Sequence, residues 1–298
     1  MIDGSFIVEG GIKCPLPDNI KKVFPLPKGI KPPKRHQIRC NGANNEYGGR
    51  NKRLVFVQVE GLKKLFPKGW FNKDHKQPHP EGLRQLEKFR DPIKKNDDLE
   101  KDSISLKKLR LVVLDTETTG LKPQAGDEII SIGACLVKNG TILEDFFDRL
   151  VNPGRQIPPF ITELTGISEE MVLGAPKFCS VMSDLLEFIE DCVIIGHSIE
   201  FDIHFMNYKL NPYGVKIKNY YLDTGLLSKV LYPHWKIYTL DSILSKMGIE
   251  PEGRHTALGD AILTADVFLR LLKEFEELGV LTLSDLRCFI RNALMHRI

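Results

Sequence analysis

The chain has 298 residues, 42% of them hydrophobic and 27% charged, a balance suited to a protein folded around a buried core. No apolar stretch approaches the roughly 20 residues that span a bilayer, and the opening MIDGSFIVEGGIK lacks the basic and apolar runs of a secretory signal. The six cysteines are scattered with no C-x-x-C pair, which excludes a disulfide framework and makes a reducing compartment, the cytoplasm, the expected location.

The formal net charge of +3 conceals a division. Residues 1–104 hold 22 Lys and Arg against 13 Asp and Glu, a balance of +9, together with ten of the 18 prolines; the remainder holds 20 against 26, a balance of −6. The asymmetry predicts a basic, proline-rich accessory region at 1–104, ending in a charged linker over 94–105, and a second domain at 105–298. In the first unit, the prolines from Pro15 to Pro33 rule out a long helix. Residues 54–59 (LVFVQV) read as a strand and residues 80–89 as a short helix opening on proline.

From Leu109 the patterns sharpen. Residues 111–114 (LVVL) form an apolar run that stops at acidic residues, as in a buried central strand. Residues 128–137 and 141–150 flank Lys138-Asn139-Gly140, and Asn-Gly between two strand-like runs predicts a hairpin. A helix is expected after Pro176 through Ile189, then an apolar strand over 192–195. Further helices follow at about 201–210, 224–231, 240–247, 257–278 and 284–294. The order describes an α/β protein, a mixed sheet flanked by helices.

Three segments of this part carry clustered polar chemistry. Asp115 and Glu117, in LDTETTG, stand at i and i+2 on the first strand, so both carboxylates project to one face and can converge on one cation. Oxygen-only ligands favour Mg²⁺ or Mn²⁺ over zinc. A strand leading into a polar turn explains the same residues without chemistry. Gly196-His197-Ser198-Ile199-Glu200-Phe201-Asp202 follows the second apolar strand and puts Asp202 in the first turn of a helix, where the dipole favours negative charge. Such strand ends are also where open α/β sheets bind ligands. In His255-Thr256-Ala257-Leu258-Gly259-Asp260, Thr256 suits an N-cap, which leaves His255 on the loop and Asp260 in the first helical turn. That helix is apolar on two sides, with Leu258, Ile262, Ala265, Leu269 and Leu272 in one stripe and Leu263, Val267 and Leu271 on the face of Asp260. Asp260 is therefore expected to be partly buried and to need a partner or a metal. Asp223 and Asp241 read as helix-start residues, and Asp127 and Glu128 as solvated loop residues.

Together, DTETTG, H-x-x-x-F-D and H-x-A-x-x-D-A resemble the DEDDh exonucleases, the DnaQ-like family that includes the proofreading epsilon subunit of bacterial DNA polymerase III. The resemblance runs from about Leu109 to Leu278 and takes in Leu164-Thr165-Gly166-Ile167, Leu222-Asp223-Thr224 and Tyr238-Thr239-Leu240-Asp241. It implies an RNase H-like fold in which Asp115, Glu117, Asp202 and Asp260 hold two Mg²⁺ or Mn²⁺ ions and His255 is the general base. It also implies stepwise hydrolysis of DNA from the 3′ end to nucleoside 5′-monophosphates, with single-stranded 3′ ends as substrate and a DNA polymerase as a candidate partner. The chemistry is coherent. Two ions a few ångströms apart stabilise the attacking and leaving oxygens of a phosphodiester, and His titrates where it can take the proton of the attacking water.

Thr118, Thr119 and His197 are candidates for contact with the terminal nucleotide, although a polar turn explains the threonines equally well. Ser198 departs from the family pattern, which has Asn after the His; every ligand position is kept, so altered tuning is expected and not loss of activity. Hydrolysis of RNA by the same residues is the nearest rival. A nucleic-acid-binding protein that no longer cuts is a rival of another class, disfavoured by the intact set.

In the N-terminal region, His36-x-x-x-Cys40 and His75-x-x-x-His79 raise a zinc reading, against which Pro78 and the lack of C-x-x-C both argue. Lys34, Arg35, Arg39, Arg50, Lys52 and Arg53 form a basic cluster near Phe56, Phe66, Trp70 and Phe71. That composition suits single-stranded nucleic acid, and equally a solvated surface over a small core.

Overall fold

A computed structural model describes residues 78–90 and 102–295. The expected strand at 54–59, the basic cluster, and His36, Cys40 and His75 lie outside those residues. A short helix, α1 (Pro80–Leu86), comes first and opens on proline as expected. Strands β1 (Leu111–Thr118), β2 (Ile129–Lys138) and β3 (Thr141–Leu150) then form an antiparallel meander. Asn139 and Gly140 take φ of 54° and 74°, the positive values a two-residue type I′ hairpin turn requires.

A crossover through α2 (Pro159–Thr165), α3 (Glu169–Leu173) and α4 (Phe178–Ile189) brings β4 (Val193–Gly196) parallel to β1. α5 (Ile199–Leu210) leads to β5 (Tyr221–Asp223), parallel to β4, and the sheet order is β3-β2-β1-β4-β5. α6 (Thr224–Leu231), α7 (Leu240–Met247), α8 (Ala257–Glu277) and α9 (Leu283–Met295) complete the chain. This is the expected RNase H-like mixed sheet flanked by helices. α2, α3 and the three-residue β5 are absent from the sequence reading, being too short to establish a period. Among the described residues no helix is long and apolar enough to cross a membrane.

β1 is central, and its apolar run is covered on both faces. Val112 and Leu114 share a core with Met182 and Leu185 of α4 and with Phe205 and Met206 of α5. Full burial of one such leucine stabilises by about 1.5–3 kcal/mol. The alternate residues, Leu111, Val113, Asp115 and Glu117, look toward α8 on the other side. Leu258, Ile262 and Leu269 of α8, expected in its buried stripe, are only partly covered; the buried side runs through Ala261, Thr264, Ala265, Phe268 and Leu272. Small residues belong there because helix and sheet come unusually close. A Cβ on Gly133 of β2 would lie 2.1 Å from the Leu258 nitrogen and 2.2 Å from the Ala257 carbonyl carbon. Gly133 pairs directly with Asp115, so this glycine lets the first turn of α8 settle over the end of β1.

α1 precedes the boundary expected at 104 and packs on the helices that follow it. Leu86 is fully buried in the α4–α5 core, Gly82 sits against Tyr213 and Cys179, and the Arg90 Nε donates to the Tyr213 carbonyl at 3.0 Å. The end of the expected linker is anchored too: Asp102 pairs with Arg287 of α9 at 2.8 Å, and Ser105 bridges to Thr282.

Gly133→Ala tests the close approach. The added methyl meets backbone, which cannot rotate away, so thermal unfolding should show a loss of about 1–3 kcal/mol, the usual range for overpacking. An unchanged melting temperature would mean that the first turn of α8 is free to move.

Candidate active site

β1 delivers Asp115 and Glu117 where its apolar run ends, and the first turn of α8 delivers Asp260; one carboxylate oxygen of each lies within 4.8 Å of the others. Asp202, from the first turn of α5, is buried nearby at 5% exposure. Its carboxylate accepts a hydrogen bond from the Thr116 hydroxyl and stands outside the converging triad. Burial pushes Asp115 well above the usual carboxylate range, and the charges of Asp202, Asp260 and Glu117 add to it. Glu117 is pushed up to about 7 by burial, then by Asp260 and Asp202. Asp202 also rises to about 7, because burial outweighs the Thr116 hydrogen bond. Carboxyls that resist ionisation in one cluster mark a place where positive charge is wanted.

These residues fit a divalent cation. The donors are all carboxylate oxygens, and Asp260 Oδ1 is buried without a hydrogen-bond partner. A buried acceptor left free beside two further carboxylates is what a hard cation requires.

His255 occupies the loop before α8, exposed and with φ of 64°. Thr256 caps that helix as expected, accepting from the Gly259 N–H at 3.2 Å, and its hydroxyl donates to the Gly253 carbonyl at 2.7 Å. The sequence reading missed Arg254. Its Nη1 donates to Asp260 Oδ2, while Nε and Nη2 fork onto the two oxygens of Asp241 at 2.7 and 3.1 Å. Asp241, read as a helix-start residue, is thereby tied to the acidic cluster, and the Arg254 hydrogen bond holds its carboxyl below the usual range. A signal was available: a lone arginine directly before the His in GRHTALGD, beside a helix that presents an acid.

The other candidates make local hydrogen bonds. His197 Nδ1 lies 3.1 Å from the Thr224 hydroxyl, whose single proton goes to the Gly196 carbonyl. In that arrangement Nδ1 carries hydrogen and Nε2 is left as an acceptor. Burial lowers the His197 pKa, which keeps the ring neutral. Asp223 accepts from the Leu226 N–H at 2.7 Å and the Ile199 N–H at 3.1 Å, so one carboxylate serves the starts of both α6 and α5. Ser198 has φ of 56°, in the left-handed region where asparagine is a favoured non-glycine residue, a physical reason for the Asn of the family pattern. The Thr118 hydroxyl donates to the Gly120 carbonyl at 2.8 Å, and the Thr119 hydroxyl accepts from the Glu128 N–H at 3.0 Å. Asp127 and Glu128 are not solvated as expected. Asp127 pairs with Arg155 at 3.0 Å and takes the Lys122 N–H, and Glu128 pairs with Lys209 at 2.6 Å.

Comparison with known proteins agrees with this geometry. The RNase_T family model, described as exonuclease, matches residues 112–268, more than half of the chain. A DNA polymerase III subunit epsilon-like protein of Rhodobacter capsulatus is 42% identical over 190 residues, 63% of this chain and 27% of that protein. The 3′-5′ exonuclease DinG of Bacillus subtilis is 36% identical over 61% of this chain and 20% of its own length. The DNA polymerase III subunit epsilon of Aquifex aeolicus is 40% identical over 55% of this chain and 80% of its own length. The chain thus spans only a fifth to about a quarter of two of these relatives and most of the third. Among solved structures, E. coli exonuclease I in complex with a dT13 oligonucleotide shares the fold, with a TM-score of 0.50 at 16% identity over 58% of this chain and 43% of that one. Family match, relatives and acidic cleft agree: the chain belongs to the RNase_T exonuclease family, in its DEDDh, DnaQ-like branch.

Proposed function

We propose that the chain removes nucleotides one at a time from the 3′ end of DNA, releasing nucleoside 5′-monophosphates. The observation that carries this reading is the convergence of Asp115, Glu117 and Asp260, with a free buried oxygen on Asp260, at the end of a buried strand. Asp115, Glu117, Asp202 and Asp260 would hold two Mg²⁺ or Mn²⁺ ions, which supply a water of lowered pKa and neutralise charge on the phosphodiester oxygens. His255, exposed on its pinned loop, would serve as the general base. The backbone of Thr118 and Thr119 and the Nε2 of neutral His197 are the proposed contacts to the terminal nucleotide, since both threonine hydroxyls serve the turn. The 3′→5′ direction is supported by the name of the Bacillus relative, and DNA by the polymerase names of the others. A polymerase as partner rests on the polymerase names of the same relatives, and the cytoplasm as compartment on the scattered cysteines. RNA is the second reading, and matched single-stranded DNA and RNA oligomers assayed with Mg²⁺ decide between them. Faster release from the RNA would overturn the choice of DNA.

The carboxyls predict how the ion-free chain responds to pH. Folded Glu117 and Asp202 titrate at about 7, above their ordinary range, so the folded state binds more protons than the unfolded one. Their contribution to stability is complete below the ordinary carboxylate range and is lost as pH rises through about 7. In chelator the melting temperature should fall as pH rises from about 4 to about 7, and saturating Mg²⁺ should remove the fall. Asp115→Asn should abolish cleavage yet melt a few degrees higher in chelator at the upper end of that range. Full activity in excess chelator would sink the two-ion reading.

His255→Ala should slow turnover by about 10²–10⁴-fold, the usual worth of a positioned base. It should leave Mn²⁺ affinity far closer to that of the parent than Asp260→Ala does. Equal loss of ion binding in the two variants would make His255 a ligand instead.

We also propose that the basic segment carrying Lys34, Arg35, Arg39, Arg50, Lys52 and Arg53 holds the nucleic-acid strand for the catalytic domain. Changing Lys34, Arg35, Arg39, Arg50, Lys52 and Arg53 to glutamine in the full chain should weaken oligonucleotide binding and flatten its salt dependence. Each lost phosphate contact on a single strand lowers that slope by about 0.7. An unchanged slope in a binding titration at several salt concentrations rules out the phosphate-holding role.

A further inference from the structure

Arg254 brings a positive charge to the acidic cluster. Its side chain is only 15% exposed, and its guanidinium donates to Asp260 Oδ2 through Nη1 and is held from behind by the two-pronged contact with Asp241. A planar fork gripped in this way has little freedom, so the charge is parked at a fixed place. That place is beside the cluster and not within it: Arg254 takes one oxygen of Asp260 and leaves the other without a partner. The backbone around it is equally constrained, with Gly253 and His255 both at positive φ and Thr256 hydrogen-bonded back to Gly253.

We propose that Arg254 is a resident counter-charge of the site: in the ion-free chain it offsets the repulsion among Asp115, Glu117 and Asp260, and in the loaded chain it weakens the hold on the divalent ion. Asp241 is the positioning residue that keeps the guanidinium on Asp260 Oδ2, leaving Oδ1 open to the ion. The proposal rests on the reading of the cleft as a divalent-ion site. It separates from a simpler role for Arg254 as a brace by the sign of one effect. A brace, when removed, loosens the ligands and weakens ion binding; a counter-charge, when removed, strengthens it, because two positive charges no longer share one carboxylate.

The test compares the full chain with Arg254→Gln, Arg254→Lys and Asp241→Asn, reading Mn²⁺ affinity by calorimetry and melting temperature in chelator and in saturating Mn²⁺. Arg254→Gln should melt lower in chelator and bind Mn²⁺ roughly tenfold more tightly, the change produced by about 1.4 kcal/mol. Arg254→Lys keeps the charge and should bind Mn²⁺ much as the parent does. Asp241→Asn keeps the arginine but frees it, and should bind Mn²⁺ no more tightly than the parent. Should Arg254→Gln fail to fold in chelator, its affinity is read from the Mn²⁺ concentration that restores the folded signal. Arg254→Gln binding Mn²⁺ no tighter than the parent, or Arg254→Lys gaining as much as Arg254→Gln, overturns the proposal while leaving the ion site standing. A parent chain that binds no Mn²⁺ overturns both.

Discussion

Carboxylates repel one another, and burial makes the repulsion worse. Two unit charges about 5 Å apart at an effective dielectric near 20 interact with roughly 3 kcal/mol. Asp115, Glu117 and Asp260 are held within that range, with Asp202 close enough to add its charge. A loose scaffold would relieve the strain by letting them drift apart. Here each is fixed from a different direction. β1 is central in the sheet and covered on both faces, α8 is seated against Gly133, and α5 starts on the Asp223 carboxylate that also starts α6. The fold works against the electrostatics of its own cleft, and a bound cation turns that cost into affinity.

The sheet register shows how few residues set this geometry. Asp115 lies opposite Gly133, and Glu117 opposite Ser131, so the side chains of β1 that face α8 meet a row of small neighbours on β2. A larger residue at either place would fill the gap between strand and helix. The absence of a side chain at one position thus fixes where the side chain of another, 127 residues on, comes to rest.

Much of this was legible in the sequence because the signals are local. The apolar run before Asp115, the Asn-Gly hairpin, the Thr256 cap and the placing of Asp202 and Asp260 in first turns each depend on a handful of neighbouring residues. What escaped depends on contacts between distant segments. Nothing near Asp241 announces the guanidinium that reaches it from Arg254, and nothing near Asp127 announces Arg155. Gly133 looks like any glycine within an apolar strand until the helix that rests on it is seen. One stripe of α8 was read only in part for the same reason: Ala265 and Leu272 are buried as expected, with Leu263, Val267 and Leu271 on the other face, but leucine at 258 and 269 satisfies a helical period and is only partly covered. α2 and α3 are short segments shaped by the core they cover, with no period of their own to betray them.

The core has its own boundaries, and they are wider than the catalytic motifs. The family match covers residues 112–268, yet Leu86 of α1 completes the packing of α4 and α5, and the ring of Phe289 on α9 meets that of Phe275 at a centroid distance of 5.4 Å. Ser105 and Asp102 fasten the approach to β1 onto the segment around α9. A fragment cut to the matched residues would keep every proposed catalytic group, yet it would bare the apolar seat of Leu86 and lose Phe275 together with Phe289. Exposed surface of that kind invites self-association. A piece chosen for its chemistry would therefore aggregate for reasons unrelated to chemistry, and the unit that folds is the longer one.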